Sequence, residues 1–181
     1  MSNRLISRRT LALRLASIPV GIGTASRALA VDGDGLTHSA DSIHQEVTFK
    51  CSRQKVYAAL TTSKQFDAIT RLSDAIALMQ APGAKPTSIS RDVGGSFTLF
   101  GGYITGRNVE MLPGERLVQA WRTGSWPAGD YSIVRFALAE DGAGTRLVFD
   151  HQGFPPGEGG HLARGWNSHY WEPMAKFLAP G

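Results

Sequence analysis

The stretch EGGHLARGWNSHYWEPMAKFL, Glu158 to Leu178, decides the fold. Leu162, Trp166, Tyr170, Met174 and Phe177 recur every three or four residues, the period of one helix face. The spacing predicts a long C-terminal helix over about 158–178, with an aromatic stripe along one side. Pro173 has no N–H to give and a fixed φ, so the helix should kink or restart there. A helix with one apolar face needs an apolar surface to lie on, and the residues upstream supply it.

From Gly94 onward the chain reads as a meander of strands. Runs at 95–100, 103–112, 116–123, 130–139 and 145–152 are broken by Gly101-Gly102, Pro113-Gly114, Pro127 to Gly129, and Asp141 to Gly144. Alternation places Leu117, Gln119 and Trp121 on one face, and Leu147, Phe149 and His151 on one face of the last strand. Ile43 to Phe49 alternates in the same way and predicts the first strand. Ser52 is a suitable N-cap for a short helix through Val56, Tyr57 and Leu60. A second helical stretch carries Phe66, Ile69, Leu72, Ile76 and Met79, and Ala81-Pro82-Gly83 ends it. Strand, two short helices, antiparallel strands and one long helix make an α+β domain in which the sheet curves over the C-terminal helix.

The chain has 181 residues, 42% hydrophobic and 19% charged, which suits one domain with a real core. Its net charge is +4, but residues 1–30 hold Arg4, Arg8, Arg9, Arg14 and Arg27 and no acid. Taking those five from 19 basic residues leaves 14 against 15 acidic ones, a net charge of −1. The basic excess belongs to the leader, so nucleic-acid binding loses its electrostatic support. Cys51 is the single cysteine, which excludes an intrachain disulfide and a cysteine-based zinc site.

Ser7-Arg8-Arg9-Thr10-Leu11 resembles the twin-arginine consensus of exported precursors. A modestly apolar stretch follows from Leu11 to Ala25, and Ala28-Leu29-Ala30 offers small residues for signal peptidase after Ala30. Arg14, Pro19, Gly21 and Gly23 interrupt that stretch, so it is too broken for a membrane-spanning helix. Residues 1–30 therefore read as a Tat signal peptide, 31–41 as a flexible linker, and 42–181 as the domain. The resemblance implies a periplasmic or secreted protein with no integral membrane segment once the signal is removed.

The element order and several phrases resemble the Hsp-90 ATPase activator homologue-like branch of the SRPBCC, or START-like, superfamily. The phrases are Gly94 to Gly102, Ile104-Thr105-Gly106, Leu112 to Arg122, Ser125 to Gly129, Gly144 to Leu147, Gly153-Phe154-Pro155, and Gly165 to Glu172, within about 43–179. The resemblance implies a helix-grip fold, as in the pollen-allergen-like proteins, with an apolar cavity between sheet and helix. No cofactor is implied.

Trp121, Phe149, His151, Trp166 and Tyr170 are the candidate ligand-binding residues of that cavity. Trp166 and Tyr170 share the helix face that should look at the sheet. The competing reading is that the aromatic residues are core packing, and that His151 is a hydrogen-bonded core histidine. Asp150 and His151 point to opposite faces of one strand, so they cannot form a simple acid–base pair. His161 and His169 lie about 12 Å apart along a helix at 1.5 Å per residue, too far to share a metal. Three functions stay open: a non-enzymatic domain holding a small hydrophobic or amphipathic molecule, a co-chaperone-like module binding a protein partner, and a cyclase- or hydrolase-like enzyme using His151 and Tyr170.

Overall fold

The computed structural model describes residues 42–179. The twin-arginine pair Arg8-Arg9, the cleavage after Ala30 and the 31–41 linker lie outside the described residues. Seven strands form one antiparallel sheet in the order β1-β7-β6-β5-β4-β3-β2. They are β1 (Ser42–Phe49), β2 (Ser88–Ile89), β3 (Ser96–Leu99), β4 (Ile104–Leu112), β5 (Arg116–Thr123), β6 (Ser132–Asp141) and β7 (Gly144–Gln152). The two-residue β2, paired with β3 through Ser88↔Thr98 and Ile89↔Phe97, carries no signal in a single sequence.

Alternation along β5, β6 and β7 puts Leu117, Trp121, Val134, Phe136, Leu147 and Phe149 on the buried face. Two features bend the sheet over that face. A bulge between Asn108 and Glu110 leaves Val109 half-exposed and shifts the β4–β5 register. At Gly106 a Cβ would collide with the Ala120 carbonyl and the Phe97 ring, so only glycine lets these three strands close up.

The helical stretch expected over 66–79 is two pieces, α2 (Ser63–Thr70) and α3 (Ile76–Gln80), after α1 (Arg53–Thr61). The break has a local cause. Thr70 Oγ1 donates to the Phe66 carbonyl at 2.9 Å and Ser73 Oγ to the Thr70 carbonyl at 2.9 Å. The Leu72 N–H then turns to Ile69 O at 2.9 Å, tightening the helix end. Leu72 is consequently exposed.

The C-terminal helix runs as α4 (Gly159–Trp166), a π-helical turn (Asn167–Trp171) and α5 (Glu172–Phe177). Pro173 restarts the helix as its sequence position predicts, sitting in the first turn of α5. The wide turn before it admits one extra residue, so the consecutive Tyr170 and Trp171 both point inward. Gln45 of β1 clamps the helix, accepting from Trp171 Nε1 at 2.6 Å and donating to Ala163 O at 3.0 Å. No helix among the described residues is long and apolar enough to cross a membrane.

Candidate functional site

Helix and sheet meet through aromatic rings. The Trp166 ring sits 4.3 Å from Phe149, 4.1 Å from Tyr170, 5.5 Å from Trp121 and 5.7 Å from Trp171, centroid to centroid. His151 is fully buried beneath it, and its hydrogen bonds settle its protonation. Trp166 Nε1 can only donate, and does so to His151 Nδ1 at 3.0 Å. His151 Nε2 therefore carries the proton and donates to Ser132 Oγ at 2.7 Å, and Ser132 Oγ donates to the Trp121 carbonyl at 2.9 Å. Burial lowers the His151 pKa to about 3. Both ring nitrogens are engaged and the ring is held neutral.

Beside this packed centre the core opens into a cavity of about 400 Å³, lined by residues of α3, β4, β5, α4 and the π turn. Trp121, Trp166 and Tyr170 line it together with Phe100, Ile104 and Leu162. Phe149 and His151 are not on its wall, and the five expected binding residues thus reduce to three that share the space. The placement has a simple cause: Trp166 lies across Phe149 and His151 and separates them from the opening. The acid–base pair of His151 and Tyr170 is likewise not assembled. His151 is enclosed with both nitrogens bonded, and burial pushes the Tyr170 hydroxyl well above the usual tyrosine range.

Asp150 faces the other side of β7, hydrogen-bonded to His44 Nδ1 at 2.7 Å and near Arg135 at 3.4 Å. The opposite-face reading of this pair of neighbours thus agrees with the structure.

Several wall residues escape sequence reasoning. Phe100 follows β3 and adopts φ 50°, in the left-handed region that β-rich phenylalanine avoids. It is held there by Phe66 at 5.5 Å and Tyr170 at 5.4 Å. The next residue, Gly101, has φ 69°, and a Cβ on it would strike the Leu78 carbonyl. This glycine lets α3 press onto the cavity's edge. The Gly101-Gly102 pair was legible as a break, but which side chain it turned inward was not. His161 and His169, spaced eight apart, both reach the same wall.

Solved structures share this architecture. An HSP90 activator from Plasmodium falciparum superposes with a TM-score of 0.62 at 24% identity, covering 76% of this chain and 95% of the other. A Chromobacterium violaceum protein gives 0.60 at 20% identity, covering 78% and 99%. At these identities the likeness concerns the fold. Among curated proteins, the human "Activator of 90 kDa heat shock protein ATPase homolog 1" is 26% identical over 134 residues, 74% of this chain and 36% of its own length. The Dictyostelium discoideum homologue is 29% identical over 119 residues, 65% and 28%. This chain therefore spans about a third of the length of the curated relatives it matches. The family model described as "Activator of Hsp90 ATPase homolog 1-like protein" matches residues 50–179. Over that span, which includes every wall residue of the cavity, the chain belongs to the family of Activator of Hsp90 ATPase homolog 1-like proteins.

Proposed function

We propose that this protein is an exported, non-enzymatic binding domain that takes one small hydrophobic or amphipathic molecule between sheet and helix. The observation that carries the reading is the cavity of about 400 Å³ beside a core packed by buried aromatic and aliphatic side chains. That size falls within the range of small-molecule pockets, roughly 300–1,000 Å³. Among the described residues its wall holds no Asp, Glu, Lys or Arg, so apolar contact supplies the affinity.

Gly165 makes a clean test. It lines the cavity, and a Cβ placed there meets only His169 Cδ2 at 3.9 Å. Gly165→Leu should fill the space while favouring the helix. Native mass spectrometry of purified wild-type protein is expected to show an adduct of small-molecule mass that is missing from Gly165→Leu. A wild type with no adduct, and with no tryptophan-fluorescence change on titration with naphthalene derivatives, sinks the reading.

Export rests on the leader. Replacing Arg8 and Arg9 by Lys should strand the precursor in the cytoplasm, as followed by fractionation. Unimpaired export of that variant removes the Tat assignment.

The co-chaperone reading draws on the family match and on the names of the relatives. Under it the sheet or its loops would engage a protein partner, and Gly165→Leu would leave that engagement unchanged.

A further inference from the structure

The wall of the cavity carries three polar atoms that are out of solvent and find no hydrogen-bond partner among the described residues: Trp121 Nε1, Tyr170 Oη and His169 Nδ1. Such groups are rare in folded proteins because each has given up water for nothing. Elsewhere in the same core His151, Ser132, Trp166 and Thr145 all have partners, whereas Tyr57 Oη and Trp126 Nε1, away from the cavity, have none among the described residues. Three of the seven unpaired buried side-chain atoms among the described residues thus belong to residues that border the cavity. Trp121 and Tyr170 are neighbours. The indole N–H lies near enough to the phenol oxygen to favour its ionised form slightly against the larger effect of burial, yet the pair does not close a well-formed hydrogen bond. An indole N–H donates only, and a buried neutral phenol has a proton to give. The phenol oxygen can also accept, but neither the indole N–H nor the phenol proton has a well-formed acceptor among the described residues, on a wall that holds His161 and His169 but no Lys or Arg.

We infer that the ligand is an uncharged aromatic molecule bearing a carbonyl-type oxygen, which accepts hydrogen bonds from Trp121 Nε1 and the Tyr170 hydroxyl. This rests on the binding reading above and narrows its ligand class. The flat body lies among Phe100, Trp166 and Ile104, where ring-to-ring contact is already the packing mode. A carboxylate in the same place would lose its hydration on a wall without Lys or Arg and would need a proton taken up by His161 or His169 to balance it. A purely hydrocarbon ligand would leave both donors unpaired.

Three probes of one shape separate the possibilities: 1-acetonaphthone, 1-ethylnaphthalene and 1-naphthoate, titrated into the purified protein by calorimetry with tryptophan fluorescence alongside. The ketone should bind about tenfold more tightly than the hydrocarbon, two modest hydrogen bonds' worth, and the naphthoate most weakly. Tyr170→Phe should reduce the ketone's advantage several-fold and leave the hydrocarbon's affinity unchanged. Because the hydroxyl has no well-formed hydrogen bond among the described residues, this variant should melt at or above the wild-type temperature. Equal binding of ketone and hydrocarbon to the wild type, as expected if an ordered water already bridges the two donors, overturns the inference and leaves the cavity reading standing. Tightest binding by naphthoate overturns it equally. Failure of all three probes to bind removes the cavity reading and the inference together.

Discussion

Trp166→Ala is expected to cost about 3–5 kcal/mol of stability, the range for truncating a large aromatic residue in a packed core. A residue that merely bordered an open cavity would lose much less. Trp166 is only 2% exposed and packs on Phe149, Tyr170, Trp121, Phe136 and Trp171 at once, while its indole nitrogen holds His151. Domains of this size retain only about 5–15 kcal/mol in total, so the variant should stand near the edge of folding. Trp166→Phe keeps a ring in place but strands the His151 nitrogen, and should cost about 1–3 kcal/mol. Urea unfolding of the three proteins at neutral pH checks both values. A loss below about 1 kcal/mol for the alanine variant would mean that the helix is not gripped through this residue.

His151→Leu should destabilise by about 1–3 kcal/mol, because it leaves Trp166 Nε1 without an acceptor in a dry core, while Ser132 Oγ loses one bond and keeps its donation to the Trp121 carbonyl. The same residue sets a pH dependence. Its folded-state pKa is depressed, from 6.5 to about 3, so below pH 6.5 the unfolded chain takes up a proton that the folded chain refuses. Stability is then fully present above pH 6.5 and falls as pH drops toward 3, by at most about 1.4 kcal/mol per pH unit. Protonation would also set an Nδ1–H against the Trp166 N–H and break that bond. His44, exposed on the other face and held above its ordinary value by its hydrogen bond to Asp150, acts in the opposite sense. Urea unfolding at pH 7, 6 and 5 should show a falling stability in the wild type and a flatter profile in His151→Leu. Parallel profiles would show that His151 accepts a proton without cost and is not locked by burial.

Both predictions concern residues that the sequence offers as cavity or core candidates, and the structure packs Trp166 and His151 into the core. His151 was identifiable as an inward-facing histidine because alternation along β7 is strict. Whether it faced a ligand or a tryptophan depended on Trp166, 15 residues away on another element. Tyr170 and Trp166 were readable as one helix face from their spacing, and both reach the cavity. Spacing leaves Trp171 off that face, because an α-helix turns by about 100° per residue and only the π turn brings it inward.

By itself the sequence determined the α+β class, the five-strand meander, the C-terminal aromatic helix and its restart at Pro173. Those depend on local periods of two and 3.6 and on where glycine and proline interrupt them. Tertiary structure alone decided which rings fill the core and which border empty space. The cavity exists because Phe100 is bent to φ 50° and Gly101 lets Leu78 approach, while Trp166 closes the floor over Phe149 and His151. Space between elements is a difference between large packed volumes, set by contacts among residues far apart in the chain, and no local pattern encodes it.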